Sequence, residues 1–426
     1  MLESAPTAAP STLPRMAPRQ ARPARLEPLH TCIERGGVEL VESIADEWRE
    51  LCERSAYNEP FYRPEWIAAA VRSFYPRADV LVLTAREGSR LCGILPLVQV
   101  RRGFLGLASW VELRSATDPR YSCRFDMVCA PGREAEIASA FWFLLAKLPE
   151  WHCLTLTNVP EGASIESLVR NAQAGGEFAA TRRELERSPY LLLNRLREGA
   201  SGGDLAQFAE SAKLRSNLRR YWRRMQSEGE IKLRVSRSAD AFKEFCALEE
   251  LGWKGRRGTA IASSPETREF YRRIARAAER HSYLCCYFME CGGKLIAARL
   301  GLLLAGCYFP LKIAYDEARG QLSPGHVIVG LSLTDAVQRG AKKCDWLGRQ
   351  SEWKSQWTSA ARLHSNIFIF RRGILGGALS AGEQLRFKCT ESMKRARRFA
   401  KPLVQKVRGR WKSVLAAMSA RPPARL

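Results

Sequence analysis

The sequence predicts an α/β protein made of two copies of one module in tandem. Three observations carry this. A hairpin, a third strand, a Pro-Gly step, a helix and a further strand follow one another twice, first between Asp79 and Asn158 and again between Tyr283 and Leu347. The strand segments are rich in β-branched and aromatic residues, and the segments between them carry apolar residues at helical spacing. The chain has 426 residues and 46% hydrophobic content, which suits two to three globular domains.

The elements follow in order. Residues 1–30 are rich in Ala, Pro and Arg with almost no acids, so they read as a disordered basic tail, with a transit peptide as the alternative. The first module spans 31–195. Leu40, Ile44, Trp48 and Leu51 share one helical face, and Pro64 starts a second helix. Asp79–Arg86 and Leu91–Val100 form a hairpin across Glu87-Gly88-Ser89-Arg90. A third strand is expected over Ser122–Cys129, a helix from Pro131-Gly132 to Leu148, a strand at Cys153–Asn158, and a closing strand at Tyr190–Leu193.

The second module spans 196–372. A Gly-Ala-Ser-Gly-Gly connection leads to a helix over Ser211–Met225, with Leu214, Leu218, Tyr221, Trp222 and Met225 on one face and six Lys or Arg around the rest. That basic surface is either a solvated face or the phosphate-facing wall of a cleft, where Arg219 and Arg223 would meet substrate. A strand at Ile231–Ser236, helices over Ala239–Trp253 and Pro265–His281, and a hairpin across Gly292-Gly293 come next. The strand Cys307–Asp316, a helix over His326–Gly340 and strands at Cys344–Leu347 and Asn366–Phe370 complete the module. From Gly373 onward, thirteen Lys or Arg face only Glu383 and Glu391. Leu403, Val404, Val407, Trp411, Val414, Leu415 and Met418 form one helical face there. Residues 373–426 therefore read as a basic amphipathic helical tail, lying on an anionic membrane surface or docked on the protein itself.

A formal net charge of +24 points to a polyanionic partner: nucleic acid, an anionic membrane or a phosphorylated substrate. Thirteen scattered cysteines without a CxxC pair read as thiols in a reducing cytosol. The five histidines are isolated and no HExxH occurs, so no metal is expected. No apolar run is long enough to span a bilayer, and no signal-peptide core is seen. The expected location is cytoplasmic, peripheral at the inner face of the membrane if the tail binds there.

The stretch from Ile313 to Trp357 holds the candidate site. A strand ends at Tyr315-Asp316, a loop closes with Ser323-Pro324-Gly325, and a helix begins. The first turn of a helix has free N–H groups and the positive end of the dipole, so this junction can hold an anion. Gly325 would admit a diphosphate close to the backbone, Ser323 would cap the helix and Pro324 suits its first turn.

The motifs Ile94–Arg102 (ILPLVQVRR), Ser211–Met225, Gly293–Gly301 (GKLIAARLG), Tyr315–Gly325 (YDEARGQLSPG) and Asp345–Trp357 (DWLGRQSEWKSQW) give the chain a resemblance to a known family. Over residues 35–372 it resembles the GNAT-superfamily acyltransferase-like proteins linked with cellulose or exopolysaccharide biosynthesis, relatives of the Fem-type peptidyltransferases. The resemblance implies two GNAT-like halves, each a mixed, mostly antiparallel sheet flanked by helices. It also implies acyl transfer from acetyl-CoA or another acyl-CoA to an amine. The pyrophosphate would sit on Leu322, Ser323, Pro324, Gly325 and His326. The usual Q/R-x-x-G-x-G/A loop is replaced by Arg319 to Gly325, and Fem-type relatives take their acyl group from aminoacyl-tRNA, so tRNA is the alternative donor. A non-catalytic accessory role on a membrane-bound polysaccharide synthase is the third reading.

Amine acylation needs a deprotonated amine, a polarised thioester carbonyl and a proton for the thiolate. Asp345, Asp316 and Glu352 are the nearby acids, and Asp345 is the expected base. Tyr315 would protonate the leaving sulfur. Lys354 and Arg349 would hold an anionic group or stabilise the oxyanion. The competing reading makes Asp345 a structural carboxylate, Lys354 a surface ion pair and Tyr315 a packing aromatic. No Ser-His-Asp set is present in the motifs, which argues against an acyl-enzyme.

Overall fold

The computed structural model describes residues 28–56, 58–104, 108–193 and 204–393. The strands of the first half are β1 (Leu29–Gly36), β2 (Asp79–Glu87), β3 (Arg90–Phe104), β4 (Ala108–Ser115), the short β5 (Val128–Cys129), β6 (Cys153–Pro160) and β7 (Phe178–Glu184). Those that follow are β8 (Ser188–Leu192), β9 (Ile231–Ser236), β10 (Leu284–Cys291), β11 (Lys294–Leu304), β12 (Cys307–Tyr315), β13 (Lys343–Asp345), β14 (Ala361–Arg362) and β15 (His364–Arg371). They form two sheets. One runs β1-β2-β3-β4-β6-β15-β7 with β5 on β3, and the other runs β14-β8-β13-β12-β11-β10-β9. Each is mostly antiparallel, with one parallel pair: β4 with β6 in the first and β12 with β13 in the second. The two-module α/β architecture expected from element order is the observed one.

The helices are α1 (Val38–Ser43), α2 (Ala45–Arg54), α3 (Pro64–Phe74), α4 (Glu134–Lys147), α5 (Ile165–Ala174), α6 (Ala212–Glu228), α7 (Ala241–Leu251), α8 (Trp253–Arg256), α9 (Pro265–Arg280), α10 (Pro324–Gln338) and α11 (Glu352–Ser355). They cover the sheet faces. One core gathers between β-strands and α4/α5 around Phe141, Trp151 and Ile369. A second lies under α6 and α10 around Leu218, Met225, Tyr308 and Leu333. A third joins the halves: Phe61 and Trp66 of the first pack with Phe270 and Phe309 of the second. Trp66 meets Phe270 edge-on at 5.2 Å, and aromatic pairs of this kind add to the burial term.

Local chemistry explains where the elements differ from the expected ones. The single helix expected over Leu40–Leu51 breaks at Ile44 into α1 and α2. The third strand of the first half is β4, with residues 122–127 as coil. Side chains take the backbone groups of that coil: the Asn158 amide donates to the carbonyls of Pro119 (3.1 Å) and Ser122 (2.8 Å), and Asp126 accepts the N–H groups of Met127, Ser164 and Ile165, each at 2.8 Å. Strand β7 lies in a stretch with no expected element. The α6 helix begins where expected, with Ser211 Oγ accepting from Leu214 N at 3.3 Å.

Sheet membership cuts across the boundary drawn near residue 195. β8 leaves the first half and pairs between β13 and β14, while β15 returns from the second half and pairs between β6 and β7. Beyond β15, residues 374–393 are helical and touch the first sheet: Arg183 pairs with Glu383 at 2.7 Å and lies over the Phe387 ring. The apolar face expected from Leu403 to Met418 lies outside the described residues, as do residues 1–27 of the tail expected over 1–30, whereas Leu29 and His30 are not disordered but open β1, paired with β2.

Candidate functional site

The second sheet opens a wedge. β12 and β13 run parallel for two residue pairs, Cys307 with Lys343 and Tyr308 with Cys344, and then diverge. From Phe309 to Tyr315, β12 therefore has a strand on one side only. Leu300 faces Lys312 and Gly301 faces Pro310, so Leu311 is an extra residue, a β-bulge packed against the third core. Pro310 fits there because it has no N–H to leave unpaired. Part of this free edge is covered. Lys254 Nζ donates to the Ile313 carbonyl at 2.6 Å and to Glu249 Oε1 at 2.7 Å, and the other oxygen of the buried Glu249 accepts from Ile261 N.

Helix α10 starts at the mouth of the wedge. Ser323 has left-handed backbone (φ 50°, ψ 51°) that closes the preceding turn, and its side chain makes no cap, contrary to the expected role. The N–H groups of His326 and Val327 return to the Ser323 carbonyl at 3.0 and 3.3 Å. Pro324 has no N–H, and that of Gly325 makes no hydrogen bond among the described residues, so one donor stays open there. The missing Cβ of Gly325 serves a protein contact: a Cβ would lie 3.2 Å from Tyr315 Cδ1. The close approach expected for a diphosphate is thus made by the Tyr315 ring. Leu322 is buried. His326 stacks on Trp357 at 6.4 Å and 20°, and burial lowers its pKa.

Tryptophans wall the other side. Trp346 and Trp357 are buried with ring centroids 5.8 Å apart, and Trp353 meets Trp346 edge-on at 5.5 Å. The indole N–H groups of Trp346 and Trp357 are buried without acceptors among the described residues. Unsatisfied buried donors are uncommon, and a water or another molecule can supply the acceptor. Neither tryptophan was singled out by motif reasoning, although both lie in the Asp345–Trp357 stretch.

Asp345 is not at the opening. It is 1% exposed in an ion cluster, with Oδ2 2.7 Å from Arg124 Nη2, 3.3 Å from Arg362 Nη2 and 3.8 Å from Lys343 Nζ. Its Oδ1 accepts from Leu347 N at 3.2 Å. Burial by itself raises the pKa of this carboxyl, but Arg124, Arg362 and Lys343 outweigh burial and hold it below its ordinary value. A carboxylate held ionised this way is a weak proton acceptor, so the geometry corrects the expectation of a general base. Arg124, also paired with Glu59, comes from the first half and lies 221 residues away in sequence, a partnership no local spacing announces.

Lys354 faces inward as well. Its Nζ donates to the carbonyls of Leu347 (2.5 Å) and Arg349 (3.1 Å), closing a turn in which Leu347 and Gly348 both have φ 56°. Burial lowers its pKa, partly offset by Cys123 and Asp345. Asp316 caps the turn after β12 through Ala318 N at 2.9 Å. Glu352 is exposed, and Arg349 is exposed 3.5 Å from Glu186. On α6, Arg219 pairs with Asp204 at 2.7 Å, and Arg223 is exposed with Nε 3.4 Å from the Arg219 carbonyl. The structure thus gathers Tyr315, Leu322, Ser323, Pro324, Gly325 and His326 at one mouth. It sets Asp345 and Lys354 into the scaffold behind it and leaves Arg349, Glu352, Arg219 and Arg223 on the surface.

Two mixed, mostly antiparallel sheets flanked by helices, the second split by the wedge, define the class as a two-sheet α/β protein. Residues 212–355 match the family model described as an acetyltransferase (GNAT) domain. Among solved structures, the chain is similar to FemX, with 11% identity and a TM-score of 0.52, covering 77% of this chain and 96% of that one. It is also similar to the C-terminal domain of a putative lysylphosphatidylglycerol synthetase from Agrobacterium fabrum (10%, TM-score 0.46, covering 81% and 96%). A tandem GNAT protein from the clavulanic acid biosynthesis pathway is a further neighbour (13%, TM-score 0.44, covering 81% and 99%). No curated protein matches the chain.

Proposed function

We propose that the second half is an N-acyltransferase that moves an acyl group from an acyl-CoA thioester to an amine. The observation that carries this reading is the wedge: β12 and β13 part after two residue pairs, with the start of α10 at its mouth. An extended donor arm can pair with the free edge of β12 as an added strand would. The diphosphate then reaches the open Gly325 N–H and the positive end of α10. The unpartnered indoles of Trp346 and Trp357 offer donors to amide or thioester oxygens of that arm. In the transfer, the amine nitrogen attacks the thioester carbonyl, a C–N bond forms and the C–S bond breaks, the nitrogen gives up a proton to water and the departing thiolate takes one. On this reading Tyr315, at the mouth, gives that proton and regains one from water. Lys254 and Glu249 line the same free edge, where an amine would approach. On the family resemblance, we place the acceptor in polysaccharide or cell-envelope synthesis.

The exposed Arg220, Arg223 and Arg224 of α6 keep aminoacyl-tRNA as the second donor reading. The test is calorimetric titration of the full chain with acetyl-CoA and with charged tRNA, together with thiol release on a panel of amines. Acetyl-CoA binding, with thiol release reduced at least tenfold in Tyr315→Phe while affinity is kept, is the expected result. Binding of charged tRNA alone would move the assignment to that donor. No binding of either, with no thiol release, would remove the transferase reading.

A further inference from the structure

Helix α9 carries Arg272, Arg276 and Arg280 at successive i+4 positions, with Arg273 beside them, on a face apart from its buried Phe270, Tyr271 and Ile274. Between this basic face and α1, α2 and α3 lies a cavity of about 490 Å³. Its wall holds six arginines against three acids, Glu42, Asp46 and Glu65, and none of its residues belongs to the wedge. Four of the arginines are tied down. Arg72 pairs with Glu42 at 2.7 Å, Arg49 with Asp46 at 2.7 Å, and Arg272 and Arg273 share Glu269 at 2.5 and 2.7 Å. Arg276 and Arg280 are exposed and make no ion pair among the described residues. Glu65 lies at the wall with its side chain 9% exposed. Its Oε1 accepts from Arg49 Nε at 3.1 Å and lies 3.4 Å from His281 Nε2, while its Oε2 is buried without a partner among the described residues. Arg273 Nε is likewise buried and unpartnered.

We propose that this cavity binds a small phosphorylated molecule that also carries a hydroxyl or amino group. Guanidinium groups gathered without matching carboxylates repel one another until an anion joins them, and phosphate accepts two parallel hydrogen bonds from each. Arg276 and Arg280 hold the phosphate. The open acceptor of Glu65 takes the hydroxyl or ammonium, since a buried carboxylate oxygen without a donor is costly. The volume falls within the usual range for small-molecule sites, about 300–1,000 Å³. The site needs no acyl transfer in the wedge, so it stands or falls independently of that reading.

The probes are glucosamine 6-phosphate, which has a phosphate, an ammonium and hydroxyls, and inorganic pyrophosphate, which has only the anion. Calorimetry on the full chain at low salt should show saturable binding of both. Arg276→Ala/Arg280→Ala should weaken each about tenfold or more, while Glu65→Gln should weaken glucosamine 6-phosphate about tenfold and leave pyrophosphate unchanged. Both arginines are exposed, so the double variant keeps its fold and decides the matter even if Glu65→Gln unfolds. The proposal is overturned if neither probe saturates, if the double arginine variant binds both probes as tightly as the parent, or if only a single-stranded RNA oligonucleotide binds this face.

Discussion

Replacing Asp345 by Asn keeps the shape of the side chain and removes its charge from the centre of a cationic cluster. Arg124, 1% exposed, would then keep only Glu59 as a counter-charge, with Arg362 and Lys343 still close by. The new amide would also point N–H groups at guanidinium N–H groups on one side. Removing one partner of a buried ion pair costs about 3–5 kcal/mol. Because Glu59 remains, the low end applies, so about 3 kcal/mol is expected. That is a large share of the roughly 5–15 kcal/mol that holds a typical domain together. It corresponds to a fall in melting temperature on the order of 5 °C or more. Calorimetric melts and urea titrations measure it, and thiol release below the melting range shows whether the folded variant still turns over. A double-mutant cycle with Arg124→Met should give a coupling energy of about 1–3 kcal/mol, since the double variant leaves no Arg124 charge without its partner. An unchanged melt together with a hundredfold loss of thiol release would refute the structural role and return Asp345 to the chemistry.

Three further outcomes follow from the same geometry. Buried His364 has its pKa lowered to about 4, first by burial and then by Arg124 and Arg362; the unfolded chain takes up the proton near pH 6.5, so stability should fall by about 3 kcal/mol as pH drops from about 6.5 to about 4, and His364→Gln should flatten that slope in pH-dependent urea titrations. Lys354→Met frees the carbonyls of Leu347 and Arg349 and should cost about 2 kcal/mol, with faster amide exchange over 347–349 read by mass spectrometry. Gly325→Ala presses a methyl against the Tyr315 ring at 3.2 Å; it should cost about 1 kcal/mol in thermal melts and weaken acetyl-CoA binding several-fold, and an unchanged affinity would place the diphosphate elsewhere.

The repeated element order was legible because hairpins, Pro-Gly steps and helical stripes are local signals. The mouth of the wedge was legible for the same reason: Tyr315 through His326 is one contiguous stretch. What escaped was non-local. The polar turn after β13 looks, in sequence, like a place for an exposed acid and an exposed amine. Its Asp345 is buried by an arginine from the first half, and its Lys354 bends back onto its own turn. Glu249 and Lys254 gave no motif, because they reach β12 only once α7 and α8 lie beside it. Residues 122–127 carry an apolar alternation that reads as strand, yet hydrogen bonds from Asn158 and to Asp126 hold them out of the ladder.

The exchange of β8 and β15 has a consequence for how the chain is made. During synthesis, β1 to β7 leave the ribosome first, but β6 and β7 have no direct ladder between them and wait for β15, whose residues 364–371 emerge nearly two hundred positions after β7 ends. Until then β6 presents an unpaired edge and β7 has no partner strand, so the first sheet is a template for wrong partners. Pairings this far apart in sequence also close late, since loop closure must precede the contacts that reward it. The nascent first half is therefore the vulnerable species in the life of this protein, and a ribosome stalled anywhere before residue 364 holds a sheet with its last gap unfilled.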